Sequence, residues 1–419
     1  MKILTKIKAG ALQLVSFVST LIAVLLLCFL LLAHTHDLFV KKTDLTIDLI
    51  KAADQGMQFA FTKSMAVGET LKIPLRNDFG ISVEVSHGYW GVLPLRKAIA
   101  KKGKIKFEKW AFTGVTPTEH TALYLQDKQR PMVIAGNAKI IGDGYLPKLG
   151  IKPGNIRGYG YNRPQLIYGK QQQSRDKLPF LVDGVQTQIV QLSSQQHIPD
   201  GEPFDLKKNL VLKNSFKNPL KVLRGANIRL ERARLSGHIM IWATQKISVE
   251  ANCQLQDVVL IAPEIVIKRG FQGNLQALAS RSISVGPSCI LQYPSVLLVH
   301  KGQPQNQLTQ ANIDIGPDTD FRGMLVYHGS PSAETTYQPH ITIAESAQLT
   351  GEIHCMGNLE LKGSIYGTVH TQAFIALENG NSYQNHLFNG KIDALQLPVG
   401  YGGLLYENKQ MNQIMKWLY

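Results

Sequence analysis

The chain opens with a long run of apolar positions. Residues 11–33 contain no charged side chain, and at 1.5 Å per residue a helix of this length crosses a hydrocarbon core of about 30 Å. An uncleaved transmembrane helix is predicted, because a cleaved signal peptide has a shorter apolar core and small residues before the cut. Residues 1–10 carry three lysines, which predicts a cytoplasmic N-terminus and an extracytoplasmic, periplasmic location for residues 34–419.

Helical periodicity resumes after this span. Apolar residues recur at spacings of three and four, namely Ile47, Ile50, Ala53, Met57 and Phe61. With Thr43 and Asp44 as a helix start, they predict an amphipathic helix from about 44 to 64. Alternating residues in the segments 81–85 and 104–112 predict strands. Residues 34–130 are therefore predicted to form a small membrane-proximal α+β module.

An internal repeat is the most informative pattern in the chain. Five apolar-x-apolar units recur at separations of 18, 19, 18 and 18 residues. They are Leu210-Val211-Leu212, Ile228-Arg229-Leu230, Ile247-Ser248-Val249, Ile265-Val266-Ile267 and Ile283-Ser284-Val285. Period-two alternation in short segments broken by glycines is typical of short strands separated by bends. A repeat this short favours stacked strands over a helical solenoid.

The pattern returns at identical offsets nearer the C-terminus. Ile313, Ile315, Phe321, Gly323 and Leu325 are matched by Ile341, Ile343, Leu349, Gly351 and Ile353. Stacking would align equivalent residues about 4.8 Å apart in parallel ladders. The sequence therefore predicts a mainly β chain with a right-handed parallel β-helix over residues 207–400, interrupted by loops at 302–310 and 329–340.

Two segments flank the predicted β-helix. Residues 131–206 include glycine-rich stretches and are predicted to connect to the β-helix or cap it. Residues 401–419 are rich in apolar side chains and are predicted to be a C-terminal cap or tail, because the ends of a solenoid need a cover.

One stretch of the repeat resembles a known family. Residues 341–353 together with Gly363-Ser364-Ile365-Tyr366-Gly367-Thr368-Val369 are similar to the bactofilin, or polymer-forming, repeat. The resemblance covers the spacing of hydrophobic and glycine residues. It implies a β-helix that associates end to end into filaments and carries no catalytic residues.

The N-terminal region resembles a second family by its layout. A short basic leader, a long apolar helix and a small strand-rich head over residues 1–115 are similar to type IV pilins and pseudopilins. Gly10 stands where the processing peptidase of that family would cut, and Val15 stands where the family has an acidic residue. The resemblance implies an accessory pilin-like or secretion-system component, and processing after Gly10 remains open.

Charge adds a candidate contact surface. The 419 residues carry a net charge of +15, which suits an anionic partner. The densest basic cluster lies within residues 96–109 and consists of Arg96, Lys97, Lys101, Lys102, Lys104, Lys106 and Lys109. We interpret it first as a solvated charged face. The functional alternatives are contact with lipid headgroups and capture of a polyanion, that is, a glycan or a nucleic acid.

The cysteines and the membrane-proximal histidines do not predict a metal site. Cys28, Cys253, Cys289 and Cys355 are far apart and form no C-x-x-C pair, so neither a zinc site nor a disulfide framework is indicated. Cys253 and Cys289 occupy corresponding places in the repeat and are predicted to be interior thiols. His34 and His36 are interpreted as polar groups at the membrane interface.

Catalytic signals are weak. The sequence has no P-loop, G-x-S-x-G, H-E-x-x-H or nucleotide-binding glycine motif. The densest acidic loop holds Asp314, Asp318 and Asp320, for which a calcium-binding or catalytic role is the alternative to turn formation. Asp257 and Glu264 are assigned to turn or surface positions. No catalytic, cofactor-binding or metal-binding residue is predicted.

The leading functional hypothesis is a non-enzymatic, membrane-anchored scaffold or assembly protein of a bacterial-type cell envelope. Its predicted partners are membrane lipids and either further copies of the chain or other envelope proteins. One alternative is the pilin-like or secretion-system component. A second is a polysaccharide-active β-helix enzyme that uses loop aspartates such as Asp314 or Asp318.

Overall fold

The computed structural model describes most of the chain. The described residues are 9–74, 80–117, 120–193, 200–207, 209–302, 311–329, 337–407 and 409–418. Within them the chain is mainly β with one long apolar helix at the N-terminus, as predicted. Most of the predicted cytoplasmic segment 1–10, and the larger part of the predicted loops at 302–310 and 329–340, lie outside the described residues.

The N-terminal helix is continuous. α1 runs over Ala9–Ala60, where the sequence predicted a span over 11–33 followed by a separate helix over 44–64. The two join because no proline or glycine interrupts residues 11–55. The prediction of an end at 64 was wrong, since the helix ends at Ala60. α1 is long and apolar enough to cross a membrane.

The chain divides into two compact units. The first comprises Met1–Phe59, Lys72–Val85 and Ala98–Glu108, and the second comprises Ala60–Leu71, Ser86–Lys97 and Lys109–Tyr419. In the first unit, residues 10–44 of α1 are exposed, whereas Ala53 and Met57 are buried. Gly56 lets the helix approach a strand closely, because a Cβ atom there would collide with Val83.

Strands make up most of the remaining described structure. In chain order they are β1 (Thr70–Ile73), β2 (Ser82–Trp90), β3 (Leu93–Lys102), β4 (Ile105–Gly114), β5 (Thr121–Leu125), β6 (Met132–Ala135), β7 (Lys139–Ile141), β8 (Asp143–Leu146), β9 (Ile151–Pro153), β10 (Asn155–Ile156), β11 (Tyr159–Gly160), β12 (Gln171–Gln173), β13 (Glu202–Pro203), β14 (Val211–Asn214), β15 (Lys221–Leu230), β16 (Arg234–Gly237), β17 (Ile239–Val249), β18 (Gln254–Gln256), β19 (Val258–Ile267), β20 (Gln272–Gly273), β21 (Leu275–Val285), β22 (Ile290–His300), β23 (Asn312–Ile315), β24 (Asp320–His328), β25 (Ile341–Ile343), β26 (Gln348–Leu361), β27 (Ser364–Glu378), β28 (Asn381–Gln384), β29 (His386–Phe388), β30 (Lys391–Asp393) and β31 (Gln413–Leu418). A second helix, α2, covers Asp183–Ser193, and a short 3₁₀ turn covers Ala394–Gln396.

Parallel strands of the second unit stack in register and form a large sheet that closes on itself. Equivalent apolar residues of successive strands pair directly. This apolar column runs through Ile228, Ile247, Ile265, Ile283, Ile313, Ile341 and Leu359. The predicted repeat is therefore confirmed from Ile228 onward as a set of parallel neighbours.

The first of the five predicted units lies in a different column. Leu212 of β14 is in register with Leu235 of β16, which is in register with Leu255 of β18. Its assignment as a repeat of Ile228 was therefore wrong. The 18 residues between the two units include a turn at 215–218. The register is set by which strands exchange hydrogen bonds and not by the spacing.

A column of glycines confirms the predicted offsets. Gly323 pairs with Gly351, and Gly351 pairs with Gly367. Their φ angles are 147°, 141° and 151°, a region that side chains other than glycine rarely adopt. A Cβ atom at Gly351 or Gly367 would also collide with the carbonyl oxygen of the preceding glycine. Glycine is required here by both conformation and space.

Residues from an earlier part of the chain extend the same sheet. β27 pairs with β5, β5 with β8, and β8 with β12, all in parallel. Elsewhere in the sheet, β13 pairs in parallel with β15. Strands within residues 121–173 thus follow β27 in space although they precede it in sequence, and part of the predicted connecting or capping region 131–206 consists of sheet strands.

Alternate side chains of the parallel strands enter two different cores. Leu297 and Leu325 belong to the larger core, which also holds the apolar column. Their neighbours Leu298 and Val326 pack in a second core with residues of α2 and of the C-terminal segment, including Val185, Ile189, Leu404, Leu405 and Met411. Strand alternation explains the division.

The C-terminal segment is described over residues 401–407 and 409–418 and packs against the rest of the second unit. β31 pairs antiparallel with β4, with Trp417 opposite Ala111. This pairing completes a five-stranded sheet of order β1-β2-β3-β4-β31. The predicted cap or tail at 401–419 therefore supplies an edge strand and part of the second core.

Candidate functional site

Neighbouring parallel strands place polar side chains on the face opposite the larger core. Glu352 of β26 is in register with Thr368 of β27, and His354 is in register with His370. The intervening Ile353 belongs to the larger core. Because side chains alternate along a strand, the same register that aligns the apolar column also aligns these polar groups.

The polar face continues onto two strands from an earlier part of the chain. Tyr124 of β5 is in register with His370, and Tyr145 of β8 is in register with Tyr124. The rings of the two tyrosines stack with centroids 5.4 Å apart, and the centroids of Tyr124 and His370 are 6.0 Å apart. We call His354, His370, Tyr124 and Tyr145 the ring ladder.

The C-terminal segment closes over the ring ladder. The backbone N–H of Leu404 donates to Oε2 of Glu352 at 2.7 Å. The hydroxyl group of Tyr406 lies 3.1 Å from Nδ1 of His370, and the Tyr406 ring centroid is 5.7 Å from that of His354. The second core holds residues 404–406 in place, so the packing of the segment fixes these contacts.

Burial shifts the pKa values of the ionisable groups at this site. Glu352 is 2% exposed, and the loss of hydration raises the pKa of its carboxyl group to about 7, against a smaller lowering by the Leu404 N–H. Burial lowers the pKa of His370 to about 4 and is the largest cause of the fall to about 3 for His354. Near neutral pH both imidazoles are therefore uncharged, and Glu352 is partly protonated.

A cavity of about 680 Å³ opens beside these groups. Its lining combines the polar face with residues of the C-terminal segment and of the loop before α2. The lining residues include Glu352, Thr368, His370, Tyr124, Tyr145, Tyr406, Arg175, Lys177, Phe180 and Lys409. A cavity of this size with a few convergent polar groups suits a small-molecule ligand or one unit of a polymer.

The arrangement offers a proton donor beside a neutral acceptor. A carboxyl group with a pKa near 7, as Glu352 has, can donate a proton or a hydrogen bond at neutral pH. Neutral His370 can accept a hydrogen bond from the Tyr406 hydroxyl. With stacked tyrosine rings beside them, these groups suit an uncharged, hydroxyl-rich ligand such as a sugar.

Sequence reasoning missed Glu352, His354, His370 and Tyr406. Part of the signal was present, because Glu352 and His354 lie 16 residues before Thr368 and His370 and alternate with apolar positions. Tyr406 had no local signal, since it reaches His370 from 36 residues away. The strand from residues 121–125 is more distant still in sequence.

The acidic loop is not assembled into one site. A carboxylate oxygen of Asp314 accepts a hydrogen bond from Asn312 at 2.6 Å, and burial raises the pKa of Asp314. Asp318 accepts from the Ser346 hydroxyl at 2.7 Å, and Asp320 forms an ion pair with Arg322 at 2.6 Å. Each carboxylate thus has its own partner. No group of three or more potential metal ligands occurs in the described part of the chain.

The basic cluster is only partly a solvated face. Lys101 and Lys104 are exposed, but Arg96 is 1% exposed, so its assignment to a solvated face was wrong. Lys97 lies over the Trp110 ring at 4.8 Å and Lys109 over the Trp417 ring at 3.7 Å from the centroid. Strand alternation in β3 turns Arg96 inward.

Two acidic residues assigned to turns or surface have distinct structural partners. Asp257 lies at a bend between β18 and β19, as predicted, but it is 7% exposed and pairs with Lys416 at 2.7 Å, so its assignment to the surface was wrong. Its buried position results from the C-terminal segment, which the local sequence does not indicate. Glu264 pairs with Lys246 on the adjacent strand at 2.5 Å.

The cysteines are all free thiols. Cys253 and Cys289 lie in the larger core, which confirms their predicted interior position. Cys355 is also buried, and Cys28 is exposed on α1. His34 and His36 are exposed on the same helix.

Comparison with known proteins adds no relative. No protein-family model, no curated protein and no solved structure matches the chain.

Proposed function

We propose that the chain is a non-enzymatic, membrane-anchored scaffold or assembly protein of a bacterial-type cell envelope. In this proposal α1 crosses the membrane, the N-terminus is cytoplasmic, and the remainder is extracytoplasmic. The observation that carries it is that one chain combines an exposed apolar helix with a long register of parallel strands. Such a register provides an extended, rigid surface that suits assembly with other molecules.

The parallel strands support a β-helix as the finer description. Strands that follow one another at the spacing of the repeat pair in parallel, and their apolar residues form one continuous core. This is the arrangement expected when a chain coils so that each turn stacks on the previous one. We propose that the coils form a right-handed parallel β-helix, because parallel crossovers are nearly always right-handed.

The closure of the sheet bears on the type of assembly. A sheet that closes on itself leaves no open edge with which strands of another chain could pair. Among the proposed partners, envelope proteins are therefore favoured over end-to-end filaments of the kind implied by the bactofilin-like repeat. Exposed Lys101 and Lys104 suit an additional contact with lipid headgroups or another polyanion.

Mild crosslinking in intact cells tests the scaffold proposal. The membrane-extracted full chain would be affinity-purified and its crosslinked partners and N-terminal peptide identified by mass spectrometry. Crosslinks to envelope proteins with an intact Met1 terminus are expected. A new terminus at Ala11 together with pilus or secretion proteins would instead make the pilin-like alternative primary. Absence of any crosslink to another envelope protein or to a second copy would contradict the scaffold proposal.

A second candidate function is polysaccharide cleavage, and the Glu352 site is the observation that favours it. A carboxyl group with a pKa near 7 beside stacked tyrosines suits a general acid in glycoside chemistry. The sequence pointed to Asp314 and Asp318 for this role, but those side chains have other partners. Release of reducing ends from an acidic or neutral glycan panel, lost in Glu352→Gln and retained in Asp318→Asn, would support this candidate.

A further inference from the structure

A second cavity in the same unit has a buried arginine in its wall. The cavity has a volume of about 300 Å³. It is lined by the segment 63–67, by Arg96, by residues at the start of α2 and by residues of the C-terminal segment. Arg96 is 1% exposed, and its Nε and Nη1 atoms have no hydrogen-bond partner. Its guanidinium carbon lies 4.7 Å from the centroid of the Phe61 ring. That contact leaves the N–H groups on Nε and Nη1 unused.

Burial of an unpaired guanidinium group lowers the stability of the fold. The lack of a hydrogen-bond partner for Arg96 among the described residues therefore points to a ligand. Removing a charge from water without a counter-ion or full hydrogen bonding costs several kcal/mol. Burial lowers the pKa of Arg96 to about 10, which leaves the group charged at neutral pH. A ligand that supplies a negative charge would compensate it.

The other ionisable groups leave the cavity with one buried positive charge. His87 is 5% exposed, and burial, with Arg96 as a second cause, lowers its pKa to about 4, so it is neutral. Glu69, which acts on His87, uses Oε2 to accept a hydrogen bond from the Ala66 N–H at 2.7 Å. Glu69 does not line the cavity, whereas the exposed Lys63 and Lys409 do. The electrostatic environment therefore favours an anion.

The remaining walls are largely apolar. Met65, Val182, Leu405 and Met411 line the cavity, and the ring of Tyr89 adds an aromatic surface. A planar carboxylate can pair with one edge of a guanidinium group through two parallel N–H groups. The apolar walls suit a compact hydrocarbon or aromatic substituent on the same ligand.

We propose that this cavity binds a small organic carboxylate, with the carboxylate on Arg96 and the apolar part against Met65, Leu405 and Met411. The ligand would be either a free carboxylic acid or the C-terminal residue of a peptide, since both present the same chemistry. The site is separate from the Glu352 cavity and does not depend on the scaffold proposal.

Thermal unfolding of the detergent-solubilised full chain, followed by tryptophan fluorescence, tests this proposal with benzoate as the probe. Saturating benzoate is expected to raise Tm by about 2 °C, and the uncharged analogue benzamide is expected to leave Tm unchanged. Arg96→Met should abolish the benzoate shift and weaken benzoate binding in calorimetry by at least about 30-fold. The exposed residue Arg281 supplies the matched control. Arg281→Met should retain both the benzoate-induced shift in Tm and the affinity for benzoate.

A second pair of readouts separates binding from a structural role. Ligand-free Arg96→Met should melt at or above the wild-type temperature, because methionine removes an uncompensated buried charge. Ala66→Trp, at the exposed rim of the cavity, should fold normally and lose the benzoate shift. A short peptide ending in a free phenylalanine carboxylate, compared with its amide, then distinguishes a peptide terminus from a free acid.

Several results would overturn the proposal. These are no benzoate-induced shift in the wild-type chain, equal shifts with benzoate and benzamide, or a benzoate shift that survives in Arg96→Met. An Arg96-dependent shift with inorganic phosphate but not with benzoate would overturn the assignment to a carboxylate.

Discussion

The apolar column and the Glu352 site use the same parallel strands but draw on different parts of the chain. The column is made by repeat units that follow one another in sequence, from Ile228 to Leu359. The site combines β26 and β27 with a strand from residues 121–125 and with Leu404 and Tyr406 of the C-terminal segment. The apolar face of each strand is therefore built from a local sequence repeat. The polar face acquires its contacts from segments that are distant in sequence.

The difference separates the roles of the two faces. Residues of the column are interchangeable aliphatic groups whose burial stabilises the stack. The polar groups of the site gain nothing from repetition, and their burial is unfavourable for the charged forms of Glu352 and the histidines. We expect mutations in the column to change stability at every pH, and mutations in the site to change how stability depends on pH.

The largest effect is expected in the column. Ile265→Ala removes a fully buried side chain and should lower the free energy of unfolding by about 4 kcal/mol. Val266→Ala, at the adjacent half-buried position, is the control and should cost about 1 kcal/mol. Chemical denaturation of the full chain in detergent measures both. Equal effects of the two substitutions would contradict the assignment of faces.

Acid should destabilise the chain through the ring ladder. The pKa of His370 is about 4 in the folded chain, against an ordinary value of 6.5, so the unfolded chain binds the extra proton between these pH values. Stability is therefore retained above pH 6.5 and falls as the pH drops to 4, by about 3 kcal/mol from this residue. His370→Gln should flatten the pH dependence of the unfolding free energy, whereas replacing exposed His34 by Gln should not.

Glu352 should change stability with pH in the direction opposite to His370. Its folded pKa of about 7 lies above its ordinary value of 4.5, so the folded chain binds the extra proton between these values. The contribution of Glu352 is most favourable below pH 4.5 and is lost as the pH rises through 7. Glu352→Gln keeps an acceptor for the Leu404 N–H and should raise stability at pH 8 by about 2 kcal/mol relative to wild type. A loss of stability at pH 8 would show that the carboxylate has a favourable partner.

The smallest effect is expected at the contact that closes the ladder. Tyr406→Phe removes the hydroxyl group beside His370 and should cost about 1 kcal/mol at neutral pH. Tyr366 lies on the same strand as His370, and Tyr366→Phe serves as the matched control with little effect. An unchanged unfolding free energy in Tyr406→Phe would mean that the segment is held by its apolar packing alone.

The fold could be predicted from the sequence where contacts repeat locally. The 18-residue spacing from Ile228 to Ile283 and the matched offsets around Gly323 and Gly351 translate directly into parallel pairs. The same reasoning failed at Leu212, because a spacing alone does not distinguish one column from another. It also gave no sign that β5 and β8 follow β27, since no repeat links these strands.

The candidate site was harder to predict, because the type of a charged residue does not indicate whether its side chain is buried. Arg96 lies at the start of a basic run, and its burial follows the alternation of β3, in which Arg96 and Ala98 are buried and Lys97 is not. Glu352 lies within the repeat that predicted the fold, yet its burial depends on Leu404, 52 residues away. Composition drew attention to the acidic loop, whose side chains form separate local pairs.

The most direct test of the central proposal, a membrane-anchored stack displayed outside the cytoplasm, is labelling of a single exposed cysteine in spheroplasts. Arg281→Cys supplies this site in the second unit, in a chain whose Cys28 is replaced by serine, because the other native thiols are buried. The account predicts that a membrane-impermeant maleimide labels the cysteine before the inner membrane is broken, and that the chain stays in the membrane after an alkaline wash. Labelling only after membrane disruption, or release by the wash, would contradict it.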